Sequence, residues 1–245
     1  MHKHRYGEGS SQYGELLVPE GDPPSGGWPV AVVVHGGFWK AVYGRKLMWP
    51  VCGALVRGGW AAWNLEYRRL GLGSEGGWPA TFDDVRAGIG FLHELDAPLD
   101  LGRVVALGHS AGGHLALWAA AQDLGIRAAV SQAGVVDLVQ AHELHLSAGV
   151  VRRLLGGTPE EQPDRYAAAS PAALVPIGVP MLCVHGALDD VVPAAVSERF
   201  AERARLAGDT CELRVFDGED HMGHIDPDNP MWHAAADWLE PWRTG

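Results

Sequence analysis

Short apolar runs alternate with amphipathic stretches along most of the chain. The first run, "WPVAVVVHGG", is rich in β-branched residues and ends at two glycines, which predicts a buried strand over 29–35. Five later runs predict further strands: "WAAWNLEYR", "GRVVALGHS", "RAAVSQAG", "VPMLCVHG" and "CELRVFDG". Segments with helical spacing separate or follow them, among them "KLMWPVCGALVRGG", "PATFDDVRAGIGFLHEL" and "NPMWHAAADWLEPW". This alternation predicts an α/β fold with a mostly parallel, twisted sheet and helices on both faces.

One interval departs from the alternation. Residues 133–178 contain no strand candidate and consist of polar, helix-like sequence. Long excursions of this kind inside compact domains are often lids or binding loops. We therefore predict a small helical cap or lid over 133–178, inserted in a single domain that spans 1–245.

Composition and charge narrow the classes of partner and compartment. The 245 residues are 47% hydrophobic, enough for one sizeable core, and the net charge of −11 argues against a nucleic-acid partner. The three cysteines are widely spaced, which argues against a disulfide framework or a zinc cluster. Neither a signal peptide nor an apolar membrane-spanning stretch is recognisable. The sequence therefore predicts a cytoplasmic protein without membrane association.

A serine lies between glycines where a predicted strand gives way to a predicted helix. Gly108, Ser110 and Gly112 fit the pattern G-x-S-x-G. Sheets of this type bind ligands at the carboxyl ends of their strands, and glycines permit the tight turn that exposes a nucleophile there. The alternative is that Ser110 only caps the helix. We interpret Ser110 as a nucleophile.

The partners of such a serine occur later in the chain, in the order acid and then histidine. A serine hydroxyl needs a base, and the base needs an acceptor behind it. "HGALDDVVP" supplies Asp189 and Asp190 after the fifth predicted strand, and "DHMGHIDP" supplies His221 and His224 after the sixth.

These segments, with "HGGFW" and "NLEYRRLG", occur in the order found in the α/β-hydrolase superfamily. The chain resembles that superfamily from about residue 30 onwards and is most similar to its kynurenine-formamidase-like and small bacterial esterase branch. The resemblance implies an α/β-hydrolase fold. It aligns Asp189 with the acid and His221 with the base, and it leaves Asp190 and His224 as their rivals.

The oxyanion hole is expected from main-chain N–H groups, because acyl transfer builds negative charge on the carbonyl oxygen. Ala111, directly after the nucleophile, is one expected donor, and Gly37 or Phe38 in "HGGFW" is the other. Phe38 stands where related motifs have a third glycine, so we expect its side chain to shape the acyl pocket. Trp39 is predicted to wall an aromatic pocket, and His109 is placed beside the site as a packing or pocket residue.

Other polar clusters are assigned to structure. "HELH" at 142–145 and the histidines of "DHMGHIDP" are spaced like metal ligands, but neither group offers a complete ligand set, so we predict no metal and no cofactor. His114 is interpreted as a packed helix residue. "EYRR", beginning at Glu66, is expected to brace the loop of "HGGFW".

The function predicted on these grounds is that of a serine hydrolase acting through an acyl-enzyme. Its partner would be a small-molecule ester or amide, which makes the protein a carboxylesterase or an aryl formamidase, with N-formylkynurenine as one candidate substrate. Two alternatives remain: an exopeptidase resembling prolyl oligopeptidases, and a non-catalytic binding protein with a hydrolase-like fold. The sequence leaves the physiological substrate and the formation of a homo-oligomer open.

Overall fold

An eight-stranded sheet organises the chain in a computed structural model that describes residues 2–73 and 75–244. The strands are β1 (His2–Arg5), β2 (Tyr13–Leu17), β3 (Trp28–Val34), β4 (Ala61–Leu65), β5 (Leu99–His109), β6 (Ile126–Gln132), β7 (Met181–Gly186) and β8 (Cys211–Phe216). The α-helices are α1 (Trp49–Arg57), α2 (Ala80–Gly90), α3 (Ala111–Ala120), α4 (Leu138–Glu143), α5 (Leu146–Leu155), α6 (Pro163–Ala169), α7 (Pro171–Leu174), α8 (Ala195–Leu206) and α9 (Pro230–Thr244). Short 3-10 helices cover Arg45–Met48, Phe91–Glu94 and Gly223–Ile225.

The strand order is β1-β2-β4-β3-β5-β6-β7-β8, and six neighbouring strands from β4 to β8 run parallel. The antiparallel pairs, β1 with β2 and β2 with β4, lie at one edge. The carboxyl ends of β3, β5, β7 and β8 therefore meet at one edge of the sheet. The loops that leave these ends carry the residues singled out in the sequence: Gly37, Phe38, Ser110, Asp189 and His221.

Alternate side chains of the central strands enter two separate cores. On β3, Val30, Val32 and Val34 pack on the side of α2 and α3, whereas Ala31 and Val33 pack on the side of α1 and α9. This is the period of two that a strand imposes. Both faces of the parallel sheet are covered, which explains why its strands are continuous apolar runs.

All six predicted strands are present, and the prediction of a mostly parallel sheet with helices on both faces is confirmed. The two strands β1 and β2 were missed. The sequence of β1, "HKHR", is polar, and β2 contains glycine and glutamate at adjacent positions. Gly14 is required there because an added Cβ would lie 2.3 Å from the Trp63 ring. Glu15 is tolerated because it pairs with Arg45.

Residues 133–178 hold the four helices α4 to α7 and no strand. The right-handed part of α5 is short, because residues 147–149 have left-handed backbone angles. The segment docks on α3, where Trp118 Nε1 donates to the carbonyl of Ala168 at 3.0 Å. Its helical content matches the predicted cap, and its role as a lid stays a prediction.

No described helix combines the length and the apolar character that crossing a bilayer requires.

Candidate active site

Ser110 sits in a strained turn between β5 and α3. Its backbone angles are φ 57° and ψ −120°, a conformation that few residues other than glycine adopt. The turn depends on its glycines: a Cβ on Gly108 would lie 2.2 Å from the carbonyl oxygen of Gly112, and a Cβ on Gly112 would lie 2.0 Å from that of Val34. The Ser110 side chain makes no capping hydrogen bond to α3. Ser110 thus occupies the N-cap position of α3 without using its side chain there, which argues against a role as a helix cap only. Strain of this kind is typical of functional sites.

Asp189 lies in the loop after β7, and its side chain is completely buried. Its Oδ1 accepts hydrogen bonds from the N–H groups of Val191 at 2.9 Å and Val192 at 2.8 Å. Its Oδ2 lies 2.7 Å from His221 Nδ1. Burial alone would raise the pKa of Asp189, but the hydrogen bonds from His185 and His221 outweigh it and hold the pKa well below its usual value. Asp190, the rival acid, is exposed.

His221 lies in the loop after β8 and faces the same cavity as Ser110. Because a carboxylate only accepts hydrogen bonds, the contact with Asp189 places the proton of a neutral His221 on Nδ1 and leaves Nε2 as the basic nitrogen. Among the described residues, no hydrogen bond joins Nε2 to the Ser110 hydroxyl. Catalytic hydrogen bonds are often long without substrate and shorten when it binds.

His224, the rival base, is fully buried, and neither of its ring nitrogens has a hydrogen-bond partner among the described residues. Burial lowers its pKa well below the usual value, and the neighbouring His109 contributes further. The structure therefore brings Asp189 and His221 together and leaves Asp190 and His224 out of the pair.

His109 packs between these groups. Its Nε2 donates to the carbonyl oxygen of His221 at 2.8 Å, and the two ring centroids are 4.6 Å apart. Burial, followed by the proximity of His221, lowers the pKa of His109 to about 3. His109 is thus a neutral side chain that holds the main chain of His221, and it also lines the cavity.

The loop after β3 has three consecutive residues in the left-handed region: Gly37 (φ 107°), Phe38 (φ 49°) and Trp39 (φ 54°). The main-chain N–H groups of Gly37, Phe38 and Ala111 have no hydrogen-bond partner among the described residues. Unpaired donors beside a nucleophile are the arrangement that an oxyanion hole requires.

Glu66 holds this loop in place through hydrogen bonds, as the sequence predicted. Its Oε1 lies 2.9 Å from His35 Nε2, and its Oε2 accepts from the N–H of Arg45. His35 also stacks on Tyr67, with ring centroids 4.4 Å apart. Burial alone would raise the pKa of Glu66, but the hydrogen bond from His35 and the nearby charges of His35 and Arg69 lower it overall. The "EYRR" segment therefore fixes the first residue of "HGGFW".

The cavity at Ser110 has a volume of about 170 Å³ and a largely apolar wall. Its lining residues are Gly37, Phe38, Tyr43, Leu47, His109, Ser110, Val191, His221 and Met222. Phe38 lies on the wall, as expected. None of the described residues of 133–178 contributes to it. A cap or lid over 133–178 would be expected to contribute to the pocket, but the walls come from the segments that follow β3, β7 and β8 and from the junction of β5 with α3.

Trp39 is not a pocket residue, and that prediction is wrong. The side chain is fully buried and packs edge-on against His114, with ring centroids 5.1 Å apart. At the left-handed turn the half-buried Phe38 ring lines the cavity, whereas the Trp39 ring is fully buried in the core, with ring centroids 6.4 Å apart. His114 is a packed residue, as predicted: its Nε2 lies 2.9 Å from the carbonyl of Ala169, and burial lowers its pKa to about 4.

The histidines of "HELH" lie away from this cavity. His142 and His145 have ring centroids 6.2 Å apart and line a different surface cavity, together with arginines. Within the described part of the chain, no group of three or more His, Cys, Asp or Glu side chains is placed to hold a metal ion. The expectation of metal-free and cofactor-free chemistry stays a prediction.

Sequence reasoning missed His185, which approaches Asp189 from β7, and it also missed the pocket residues Tyr43, Leu47 and Met222. His185 could have been noticed, because it begins the same "HGALDDVVP" segment that identified Asp189. Tyr43 and Leu47 carry no chemical pattern in the sequence, so only the folded loop reveals them.

Two curated proteins are similar to this chain in sequence. The chain is 29% identical to Esterase LipQ of Mycobacterium tuberculosis over 74% of its own length and 46% of that protein. It is 27% identical to Dipeptidyl-peptidase 5 of Schizosaccharomyces pombe over 91% of its own length and 35% of that protein. The chain thus spans less than half the length of these curated relatives.

Solved structures of esterases share the fold. A truncated carbohydrate esterase from gut microbiota has a TM-score of 0.83 at 21% identity, covering 99% of this chain and 95% of that one. Esterase 2 of Thermogutta terrifontis, with butyrate bound, has a TM-score of 0.76 at 23% identity, covering 98% and 92%. The predicted α/β-hydrolase fold is confirmed.

The BD-FAE family model matches residues 17–204, which include Ser110 and Asp189 but end before His221. These matches do not confirm the kynurenine-formamidase-like branch. The family model matches more than half of the chain. The protein therefore belongs to the BD-FAE family, an esterase family of the α/β-hydrolase type.

Proposed function

We propose that the protein is a serine carboxylesterase that hydrolyses esters with a short acyl group. In this proposal Ser110 attacks the ester carbonyl, His221 takes its proton through Nε2, and Asp189 holds the imidazole in the required tautomer. The acyl group is transferred to Ser110 as the alcohol leaves with a proton from His221, and water then releases the acid. The observation that carries the proposal is the contact of 2.7 Å between His221 Nδ1 and a buried Asp189, in a cavity shared with Ser110.

The unpaired N–H groups of Ala111 and of Gly37 or Phe38 would bind the developing oxyanion. A single donor of this kind contributes about 3 kcal/mol to the transition state. The chain positions them before substrate arrives, because Glu66 fixes His35 and the glycines fix the turn at Ser110.

The cavity favours a small acyl group. Its volume of about 170 Å³ is close to that of an engineered apolar cavity of about 150 Å³ that binds benzene. Acetyl, propionyl and butyryl groups fit this size. Support also comes from a relative of similar fold: an acetyl ester-xyloside bifunctional hydrolase from Caldicellulosiruptor lactoaceticus matches this chain with a TM-score of 0.79 and 23% identity.

An aryl formamidase is less well supported than a short-chain esterase. The argument for an aromatic pocket depended on both Phe38 and Trp39, and Trp39 is fully buried. Formamides of aromatic amines, including N-formylkynurenine, therefore enter as competing substrates in the test.

A dipeptidyl peptidase is the second candidate, because the similarity to Dipeptidyl-peptidase 5 extends over 91% of the chain. Exopeptidases of this type recognise a substrate ammonium group, for which a carboxylate is the natural partner. No carboxylate is among the described residues that line the Ser110 cavity. This favours an ester substrate.

The test compares p-nitrophenyl acetate and butyrate with aryl formamides and aminoacyl-p-nitroanilides, using the wild-type protein and Ser110→Ala. We expect kcat/KM to be highest for the short esters and to be lost in S110A. A fluorophosphonate probe should label the wild-type protein only. Ester turnover that survives in S110A would refute the serine mechanism. A wild-type protein that is neither labelled nor active would favour the non-catalytic binding protein.

A further inference from the structure

Asp189 contacts a second imidazole besides that of His221. His185, the fifth residue of β7, is fully buried, and its Nε2 lies 3.1 Å from Asp189 Oδ2. This is the same oxygen that His221 contacts at 2.7 Å. The two histidines therefore share one carboxylate oxygen, whereas the other oxygen is fully occupied by the N–H groups of Val191 and Val192.

The contacts of His185 determine which nitrogen carries its proton. Nε2 is also 2.8 Å from the carbonyl oxygen of Val192. Both neighbours of Nε2 are acceptors, so Nε2 must be the N–H donor. On the other side of the ring, Nδ1 lies 2.8 Å from the hydroxyl of Ser197 on α8, which donates when the ring is neutral. His185 is thus held by three groups and has no access to solvent.

We propose that His185 is a positioning residue of the catalytic machinery, which acts by donating a hydrogen bond to Asp189 Oδ2 and so limits how strongly that oxygen attracts the proton on His221. The inference rests on the proposed function, because it concerns how Asp189 serves His221. It adds a fourth side chain to the line that runs from Ser110 through His221 to Asp189.

The physical reason is competition for one oxygen. A donor on Oδ2 withdraws electron density from it, and the positive end of the His185 N–H dipole lies close to the position where His221 becomes cationic. Both effects make His221 easier to deprotonate. A base must be unprotonated before it can activate serine. With the hydrogen bond from His185, His221 therefore remains able to accept the serine proton at a lower pH than without it.

Other titratable groups face this pair from neighbouring elements. His109, at the end of β5, lies against His221, and His224, in the 3-10 helix after β8, has a ring centroid 6.3 Å from that of His185. Burial lowers the pKa of both, which favours their neutral forms. We therefore do not expect either ring to cause a shift of the acidic limb.

Two substitutions of similar shape separate donor loss from general disturbance. The amide nitrogen of His185→Gln can reach the position of Nε2 and retains the donor to Asp189. The shorter His185→Asn reaches only the position of Nδ1 and lacks that donor. Ser197→Ala is the matched control, because it removes the same Nδ1 contact that H185Q loses and leaves the Nε2 donor in place.

The measurement is kcat/KM for p-nitrophenyl acetate between pH 5 and 9, with the rate of fluorophosphonate labelling as a second readout of Ser110. In H185N we expect the acidic limb to move up by roughly 0.5 pH unit and the plateau to fall about tenfold. H185Q and S197A should keep the acidic limb of the wild-type protein. An acidic limb that is unmoved in H185N, or that moves equally in H185Q, would overturn the proposal whatever happens to the plateau.

A measurement on the wild-type protein keeps the proposal testable if H185N does not fold. Histidine ¹⁵N NMR between pH 5 and 9 should show His185 protonated on Nε2 and not on Nδ1, with the signals assigned by H185Q. A proton on Nδ1 would overturn the proposal. Failure of the proposed function looks different, because S110A would then retain turnover or the wild-type protein would resist labelling.

Discussion

Replacing Asp189 by asparagine tests the central contact of the site, and the structure determines which way the new amide must face. Oδ1 accepts two main-chain hydrogen bonds, from Val191 and Val192. The asparagine oxygen has to occupy that position, so its NH₂ group takes the place of Oδ2. It then meets the N–H groups of both His185 and His221, where only acceptors are tolerated.

The expected loss follows from this conflict. His221 can satisfy the new amide only by accepting at Nδ1, which moves its own proton to Nε2 and removes the base from Ser110. The corresponding exchange in serine proteases lowers kcat by about 10⁴. We expect a fall of about 10³- to 10⁴-fold in kcat/KM for p-nitrophenyl acetate, equivalent to ~4–5.5 kcal/mol of activation free energy.

Asp190→Asn is the matched control, because it makes the same chemical change at the adjacent, exposed carboxylate. Its kcat/KM should stay within about twofold of the wild-type value. Both variants are to be compared at pH 8, with circular dichroism to establish that they are folded. If folded D189N retained more than a tenth of the activity, or if D190N lost as much, the assignment of Asp189 as the acid would be refuted.

Two further predictions concern stability. Because burial lowers the pKa of His114 to about 4, the unfolded state binds the extra proton first as pH falls below about 6.5, and stability is lost in that direction. In urea titrations, His114→Gln should therefore reduce the fall in unfolding free energy between pH 7 and 5 by ~2 kcal/mol. His93→Gln, at an exposed position, should not reduce it. Equal falls in the two variants would contradict a neutral His114. Gly112→Ala places a Cβ 2.0 Å from the carbonyl oxygen of Val34 and should lower the melting temperature strongly, whereas Gly90→Ala, with no atom within 4 Å of its Cβ, should leave it equal or higher. A G112A protein as stable as G90A would show that the turn tolerates a side chain.

The parallel part of the sheet was predictable because burial on both faces makes each strand a continuous apolar run. β3 illustrates this, since five consecutive valine or alanine residues fill two cores in alternation. The edge strands were not predictable in this way. Gly14 is required by a tryptophan ring, and Glu15 is tolerated because of an arginine, and both partners lie far away in the sequence.

The polar groups of the site could be proposed from the sequence because chemistry restricts the residue types and topology brings strand ends together. In this way the candidates were limited to Asp189 or Asp190 and to His221 or His224. The resemblance to the α/β-hydrolase superfamily then selected Asp189 and His221, and these two are in contact. The residues that form the pocket wall could not be derived from the sequence. Trp39 and Phe38 are adjacent, yet a left-handed turn sends one ring into the core and the other to the cavity. Side-chain direction at such turns depends on backbone angles that no local pattern specifies.

The hydrogen bond from His109 to the carbonyl of His221 restricts how Ser110 and His221 can approach each other. It ties the main chain of His221 to the residue directly before Ser110, so the two loops cannot move apart or together as rigid bodies without breaking a buried bond. The His221 ring is held by Asp189 as well, so it cannot turn without losing that contact. Rotation of the Ser110 hydroxyl is therefore the adjustment that we expect when substrate binds, while the two loops keep the relative placement they have without substrate.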